Sequence, residues 1–466
     1  MTIDMMLKPE HAFRDVLLSE VQTPGVVCPE EQGGFVLKPR DMAQAAKLLY
    51  HAFDQQQPLT LLSQDVGYLE QPVQLSLERL DQVIHHADED LVISVEAGIT
   101  MGQLQQLLGE KNQAFPLNYA PETRLIDLLG EDRPSLETGF AGYPRDYVLG
   151  LDVLTPDGKR YQTGGQVVKN VTGYDLNKWL VGSHHTLGVI CGATLKCIAR
   201  PEAQRDWCIT YDSYQSASLA LQALLEEGVP LAYAEIVHEI RIKPDLDQEF
   251  VDWSLFFGVR GSQSLMPTVV PQVCRILDLD LLTSVLHPQE AQTYWNRLNH
   301  YESRDLVLEV ALPVSEIQRF ITQVENDLPE SMWPWVQVRP QAGLIYLIWA
   351  FGEGVPSVQQ LRILCGEWLD ALTSDLGYLR GHLHWVQFPR GYQSLSQYCN
   401  LPREALARKM MRDLKAFADP QGILLSSRLP VGPHFDGITL DAILSGIILD
   451  EAVLDKSQPD RNQEIE

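Results

Sequence analysis

A short loop of glycine, serine and threonine is the part of the sequence best suited to contact a phosphate-bearing ligand. It reads Gly-Ser-His-His-Thr-Leu-Gly over residues 182–188. Glycine lets the backbone approach a ligand closely, so N–H groups can reach phosphate oxygens, and the Ser183 and Thr186 hydroxyls add further donors. The alternative is purely structural, with Gly182 ending a helix and Gly188 beginning a strand.

Two basic residues are candidates for binding an anion. Arg145 and Lys169 could contact either a phosphate or the carboxylate of a small substrate. Both residue types also form ion pairs at surfaces and between domains, and the sequence does not distinguish these roles.

Histidines provide the nearest approach to a metal site. His382 and His384 alternate on a predicted strand and therefore share one face, which makes a metal site conceivable. No cysteine or third ligand accompanies them, so ordinary strand histidines are the simpler interpretation. The pairs His85-His86 and His184-His185 are adjacent in sequence. Neighbours on an extended chain point to opposite faces, so neither pair should hold one metal.

The cysteines and the common catalytic motifs exclude several kinds of chemistry. The chain has seven cysteines, an odd number, and none forms a Cys-x-x-Cys pair. This usage predicts reduced thiols, a cytoplasmic location, and neither an iron–sulfur cluster nor structural zinc within this chain. The sequence also lacks the GxSxG, P-loop and HExxH motifs.

Charge and hydropathy define the broad class of protein. The net charge of −26, from 62 acidic and 36 basic residues, argues against a nucleic-acid-binding surface. No apolar run approaches the roughly 18 residues that a membrane-spanning helix needs. The first residues lack a basic region followed by an apolar run, so no secretory signal is predicted.

The loop is embedded in a predicted alternation of strands and helices. Apolar residues at helical spacing follow two cap residues, and period-two runs indicate strands. In this half, we predict helices after Asp41 and Thr100, strands at 59–62, 91–97 and 188–198, a hairpin at 147–163, and a short helix capped by Asp175.

The second half repeats strands and helices with a different character. We predict helices at 216–227, 314–328, 357–376 and 403–418, and strands at 207–211, 306–312, 337–340 and 343–351. The predicted helix at 216–227 carries Leu219, Leu221, Leu224 and Leu225. Residues 440–454 also show an apolar face at helical spacing, which we expect to dock on the protein's own surface or on a partner.

Residues 164–196 resemble flavoproteins of the glycolate oxidase E-subunit type, within the PCMH-type, vanillyl-alcohol-oxidase-like family. They contain a KN-x-x-GYD run, a GS-x-x-TLG run and a strand ending in TLK. Upstream, residues 145–150 match an RD-x-VLG element and residues 96–100 match an "AG, then helix" element. Residues 419–424, DPQGIL, resemble the closing DPxGI signature.

The sequence departs from this family at its glycine-rich elements. Residues 61–68 lack the RGGGT-type glycines and place Asp65 where a pyrophosphate is expected. Residues 123–130 lack a glycine pair, and His185 stands where glycine is common. Leu425-Ser426-Ser427 replaces Asn-Pro-Gly. This pattern suggests a retained scaffold with weakened or altered flavin binding.

The resemblance implies an α+β protein with a PCMH-type FAD-binding fold and a second, ferredoxin-like α+β cap domain. The expected division is 1–203 for the FAD domain, 204–402 for the cap, 403–430 for a segment returning to the FAD domain, and 431–466 for an acidic, partly disordered tail. The implied cofactor is FAD, contacted by Gly139, Gly182, Ser183, Thr186, Leu187, Gly188 and Val189.

The resemblance further implies oxidation of glycolate or D-lactate together with partner subunits. These would be a D-type flavin subunit and an F-type iron–sulfur subunit, which could also hold the chain at the membrane periphery. No catalytic base is identified by the sequence. The alternative is a non-catalytic, partner-binding subunit that keeps the fold but has weakened or lost flavin binding.

Overall fold

The fold is seen in a computed structural model. It describes residues 27–29, 35–61, 73–165, 174–238, 253–280, 285–299, 301, 305–329, 332–350, 364, 368, 382–387 and 405–425. Several predictions lie outside these residues: the loop 63–68, Lys169, most of the helix at 357–376, the run 440–454 and the tail 431–466.

The first sheet combines an early and a late part of the chain. Its five strands are β1 (Val27–Pro29), β2 (Phe35–Leu37), β3 (Leu59–Leu61), β4 (Val73–Leu75) and β19 (Leu424–Leu425). They lie in the order β1-β2-β4-β3-β19. Only the β1–β2 pair is antiparallel. Helix α1 (Met42–Asp54) connects β2 to β3 and begins as predicted at Asp41, whose carboxylate accepts the Gln44 N–H at 2.7 Å.

The second sheet is antiparallel and contains the predicted hairpin. Its strands are β5 (Val83–Ala87), β6 (Val92–Glu96), β8 (Val148–Leu154), β9 (Arg160–Gly164) and β10 (Val189–Lys196). They lie in the order β5-β6-β10-β8-β9. Two short strands, β7 (Gln113–Ala114) and β11 (Ile198–Ala199), pair beside it.

Four helices accompany the second sheet. They are α2 (Met101–Gly109), α3 (Leu125–Glu131), α4 (Thr138–Ala141) and α5 (Asn177–Leu180). Thr100 caps α2 as predicted and forms a reciprocal capping box with Gln103. The prediction that Asp175 caps α5 is wrong, because the helix begins after Leu176 without a side-chain cap.

The third sheet has seven antiparallel strands. They are β12 (Ala203–Tyr211), β13 (Leu231–His238), β14 (Trp253–Gly261), β15 (Leu306–Ala311), β16 (Trp335–Arg339), β17 (Leu344–Trp349) and β18 (His382–Gln387). Their order is β12-β14-β13-β16-β17-β15-β18. The remaining helices are α6 (Tyr214–Glu226), α7 (Met266–Leu277), α8 (Pro288–Leu298), α9 (Ile317–Asp327) and α10 (Ala405–Ala418).

The two faces of the third sheet differ in chemistry. One face packs against α6, α7 and α9 and forms a large apolar core that includes Leu224, Val273 and Phe320. Of the four leucines that the predicted helix carries, Leu221 and Leu224 are buried in α6, whereas Leu219 and Leu225 are 58% and 37% exposed. The opposite face mixes smaller apolar clusters with buried polar side chains, and these side chains form part of the candidate site.

The first two sheets share a core of their own. Leu37 and Ile423 from the first sheet belong to the same apolar cluster as Leu154 and Val189 from the second. Among the described residues, no helix is both long and apolar enough to cross a membrane.

Candidate active site

A cavity of about 350 Å³ lies where the polar face of the third sheet meets the first half of the chain. The first half contributes residues from the segments 119–123, 131–134 and 143–145, together with His184. The third sheet and its connections contribute Leu298, Asn299, Tyr301, Glu309, Arg339, Tyr346, His384 and Val386. Pockets between domains are common ligand sites, because both sides can supply converging polar groups.

A row of polar side chains crosses the third sheet beneath this cavity. His384 on β18 lies directly opposite Glu309 on β15, and Glu309 lies opposite Tyr346 on β17. Tyr346 in turn lies opposite Gln337 on β16. Directly opposed residues share a face of the sheet, so the four side chains form one continuous polar strip.

Arg339 is the buried cation of the site. Its side chain is 5% exposed and forms an ion pair with Glu235 at 2.5 Å. It also donates to the Tyr346 hydroxyl at 3.0 Å and to the Pro134 carbonyl at 3.2 Å, and lies over the Tyr346 ring. Burial opposes the charge, but Tyr346 and Glu235 outweigh it and raise the pKa of Arg339. The guanidinium therefore remains charged at the edge of the cavity.

The half-buried Glu309 and the buried Tyr346 are acids beside this cation. Burial raises the pKa of Glu309, while a hydrogen bond with Tyr346 and the charge of Arg339 act in the opposite direction. Burial is also the main cause of the raised pKa of Tyr346. A carboxyl group whose pKa moves towards neutrality can exchange a proton with a bound ligand near physiological pH.

The opposite wall of the cavity comes from the first half of the chain. Asp132 adopts a left-handed conformation with φ of +51° and forms an ion pair with Arg145. The Arg145 backbone N–H also donates to Asp132 at 2.9 Å. Burial nevertheless raises the pKa of Asp132, despite the favourable effect of Arg145. His184 completes this wall, with its ring 6.5 Å from that of His384. The predicted anion-binding Arg145 thus reaches the cavity in an ion pair.

Backbone N–H groups of the loop 182–188 form the hydrogen bonds that hold it in place. Gly182 has φ of +84°, a conformation that glycine favours, and donates to the Leu129 carbonyl at 2.9 Å. The His184 N–H donates to Gly130 at 2.8 Å, and the Thr186 N–H donates to Ser183 at 3.1 Å. These three N–H groups are therefore occupied inside the protein. The Ser183 hydroxyl is buried with no hydrogen-bond partner among the described residues.

The remaining predicted cofactor residues occupy different surroundings. Val189 is fully buried in β10, and a Cβ on Gly188 would lie 2.9 Å from the Val153 side chain. Leu187 packs against the core shared by the first two sheets. Gly139 lies in α4, where a Cβ would lie 2.6 Å from the Cβ of Gln341. Gly139 therefore permits close contact between the first half of the chain and the turn 340–342 of the third sheet.

His184 and His185 are not on an extended chain. Their φ angles are +49° and +60°, so the backbone is left-handed at both positions. His184 faces the cavity, whereas His185 is buried and its Nε2 lies 3.0 Å from the Ile126 carbonyl. Burial lowers the pKa of His185 to about 4. Among the described residues, no cluster of three or more His, Cys, Asp and Glu could hold a metal.

The side chains around the cavity are suited to the reactive ring of a flavin. The loop 182–188 is less well suited to the phosphates of FAD. Arginine, tyrosine and histidine side chains surround the cavity, and such groups suit the electron-rich edge of a flavin ring. At the start of α3, the N–H groups of Leu125 and Ile126 already donate to the carbonyls of Ile99 and Ala97. Within the loop, the Ser183 hydroxyl and the His185 Nδ1 are both buried without a hydrogen-bond partner among the described residues, and a cofactor could satisfy either group.

Sequence analysis missed the third-sheet half of this site. Glu309 and Tyr346 each stand as the polar residue of an otherwise apolar strand, and Arg339 ends a strand whose other polar residue is Gln337. A buried strand normally excludes charged side chains, so an isolated one within an apolar run is a usable signal. Only His384 was singled out in advance, and it was considered for a metal.

Comparison with known proteins identifies the domain type. Residues 34–164 match the family model described as an FAD binding domain. The chain is 15% identical to the crystal structure of p-cresol methylhydroxylase with substrate bound, with a TM-score of 0.67 over 94% of this chain and 99% of that one. The predicted PCMH-type α+β fold is confirmed. The prediction of FAD as the cofactor is confirmed by the domain match.

Two curated relatives refine the comparison. The mitochondrial D-lactate dehydrogenase [cytochrome] 1 of Saccharomyces cerevisiae is 23% identical over 336 residues, covering 65% of this chain and 57% of that protein. The glycolate oxidase subunit GlcE of Escherichia coli is 33% identical over 129 residues, covering 26% of this chain and 35% of that protein. The matches thus span about a third to somewhat over half of these relatives. They support the flavoprotein family without distinguishing the E-type subunit within it.

Proposed function

We propose that the chain is an FAD-linked oxidoreductase subunit that acts on a small 2-hydroxy acid such as glycolate or D-lactate. The observation that supports this most is the cavity between an FAD-binding domain and a sheet that presents Arg339, Tyr346, Glu309 and His384. The similarity to proteins named D-lactate dehydrogenase and glycolate oxidase favours the same substrate class.

In this proposal Arg339 binds the substrate carboxylate. Its Nε and Nη1 are occupied by Glu235, Pro134 and Tyr346, and Nη2 has no hydrogen bond with any described residue. Nη2 can therefore donate to a carboxylate oxygen, and the charge of the guanidinium strengthens that hydrogen bond. The bonds to Glu235 and Tyr346 hold the group in one orientation before substrate arrives.

His384 is the proposed acceptor of the hydroxyl proton. It lines the cavity directly opposite Glu309 in the strand ladder, so a carboxyl group lies beside the imidazole. A neighbouring acidic group can orient an imidazole and stabilise its protonated form. When bound, FAD would supply the two-electron oxidising chemistry at the substrate carbon.

The cofactor-binding segment remains as predicted from the sequence. It comprises Gly139, Gly182, Ser183, Thr186, Leu187, Gly188 and Val189. Within it, Ser183 supplies an unsatisfied hydroxyl, while Gly139 acts by allowing the two halves of the chain to approach closely. We assign the cofactor to the side of the 350 Å³ cavity that is lined by His184, the residue of the loop 182–188 that reaches it.

Assembly and domain division are further parts of the proposal. The domains divide at residues 203, 402 and 430, and the partners are a D-type flavin subunit and an F-type iron–sulfur subunit. The similarity to a glycolate oxidase subunit supports a multi-subunit complex. A flavin-free, partner-binding subunit is the alternative, and the internally bonded N–H groups of the loop 182–188 are its support.

An anaerobic substrate titration tests the proposal. The purified chain is loaded with FAD, with and without co-expressed D- and F-type partners, and its visible flavin band is recorded as glycolate, D-lactate or L-lactate is added. Bleaching of the band by glycolate or D-lactate is the expected result. A flavin that none of the acids reduces in either preparation would contradict the assigned reaction. Failure to load any flavin would favour the alternative.

A further inference from the structure

The outer face of α10 exposes a row of large apolar side chains. Met410, Leu414 and Phe417 are spaced by four and three residues, so they lie on one face of the helix. Their exposed fractions are 56%, 37% and 82%. An exposed phenylalanine in such a row is uncommon on a monomer surface and indicates a contact surface.

The inner face of the same helix is anchored firmly. Lys415 is buried and donates to Asp419 at 2.6 Å, to the Leu424 carbonyl at 2.6 Å and to the Thr186 carbonyl at 2.8 Å. These bonds fix α10 to the first sheet and to the loop 182–188. The apolar row is therefore presented by a helix of fixed orientation.

The chain itself contains a segment of complementary chemistry. Residues 440–454 read LDAILSGIILDEAVL, with apolar residues at positions 440, 443, 444, 447 and 448. This spacing produces one apolar face on a helix. The segment has three acidic and no basic residues, whereas α10 has four basic residues and one acidic residue. The two segments thus match in both apolar pattern and net charge.

The connecting chain is long enough for the two segments to meet. Fourteen residues, 426–439, separate the end of β19 from residue 440. Extended, they span roughly 46 Å, whereas a helix of 14 residues such as α10 is only about 21 Å long. A tethered segment also has a large effective concentration compared with a separate partner.

We propose that residues 440–454 dock within the same chain on the apolar row Met410–Leu414–Phe417 of α10. The docked segment covers Phe417 and holds α10 against the loop 182–188 through Lys415. The sequence analysis expected this run to dock on the protein's own surface or on a partner. The proposal names the apolar row of α10 as that surface.

Photocrosslinking from position 417 tests the proposal. Phe417 is replaced by p-benzoylphenylalanine in the full chain, and adducts are mapped by peptide mass spectrometry after irradiation. The expected product is a monomeric chain in which position 417 is joined to a residue between 440 and 454. The same group placed at Tyr174, which is 96% exposed, serves as the control and should give no such adduct.

A second variant separates docking from folding. Ile447→Asp should lower the adduct yield by about tenfold, because a charge on the apolar face costs at least about 1.4 kcal/mol of docking free energy. Ile447→Leu should leave the yield unchanged. The circular dichroism of both variants should match that of the parent. Adducts to a second copy of the chain, or none within 440–454, would overturn the proposal.

Discussion

Arg339 connects the candidate site through side-chain hydrogen bonds. It lies in β16 and donates to Glu235, Tyr346 and Pro134 around one cavity. The strand β16 could be predicted from its pattern. The partners Glu235 and Pro134 could not, because they lie 104 and 205 residues away in the chain.

A conservative change at Arg339 tests its proposed role with substrate. Arg339→Lys keeps the charge but loses the planar fork, so we expect the KM for a 2-hydroxy acid to rise by about tenfold or more. The kcat should change less, because the lysine can still approach the carboxylate. Arg319→Lys, on the exposed side of α9, is the control. An unchanged KM in Arg339→Lys would exclude carboxylate binding by this residue.

Because His185 is buried, we expect the free energy of unfolding to decrease in acid. Its pKa is lowered by burial from the ordinary value of 6.5 to about 4, so the folded protein disfavours the charged imidazole. The stability from this group is complete above pH 6.5 and is lost as the pH falls towards 4. Between pH 7 and pH 5, the free energy of unfolding should decrease by about 2 kcal/mol on this account.

Urea unfolding at the two pH values measures this effect. His185→Asn keeps a residue that tolerates the left-handed backbone but removes the titrating group. The variant should lose about 2 kcal/mol less stability than the parent between pH 7 and pH 5. His51→Asn, in the last turn of α1, is the control. Equal pH dependence in the parent and His185→Asn would disprove this assignment.

At the scale of elements, the packing of α10 against β19 depends on the buried ion pair between Lys415 and Asp419. Lys415→Met would leave the Asp419 carboxylate buried without its cation, at a cost of about 3 kcal/mol in the free energy of unfolding. The double variant Lys415→Met/Asp419→Asn should regain part of this loss. Lys409→Met, at an exposed site on the same helix, should have little effect. Chemical denaturation distinguishes these outcomes, and a fully stable Lys415→Met would contradict the role of the pair.

A substitution in helix α4 tests how closely the two halves of the chain pack against each other. Gly139→Ala places a Cβ 2.6 Å from Gln341 and 2.9 Å from the Ala342 nitrogen. Alanine favours a helix by about 1 kcal/mol, but the clash with backbone should outweigh this, for a net loss of about 1–2 kcal/mol. Gly165→Ala has open space around it and serves as the control. A thermal melt in which both variants match the parent would disprove the close contact.

The elements were predicted better than their packing. Caps such as Asp41 and Thr100 are local signals, and both helices begin where these residues indicate. Burial depends on the whole fold, so the apolar pattern of α6 does not show that Leu221 is buried while Leu219 is exposed. The order of the seven strands in the third sheet was also not predictable, because pairing depends on contacts distant in sequence.

At the scale of the whole molecule, the two halves meet through polar as well as close backbone contacts. Arg260 of β14 pairs with the buried Glu137 at 2.7 Å, and Arg339 donates to the Pro134 carbonyl. Of these residues, Arg339 and Pro134 line the cavity between the FAD-binding domain and the third sheet. Sequence resemblance predicted the two-part architecture, whereas the contacts that join the parts required the structure.

The central claim is that this chain holds FAD beside that cavity. The most direct test is a titration of the purified, flavin-free chain with FAD, followed by flavin fluorescence and repeated after co-expression with the proposed D- and F-type subunits. We predict saturation at one FAD per chain, with weaker binding in Lys415→Met because the loop 182–188 loses an anchor. No binding by the chain, either alone or in the complex, would contradict the claim.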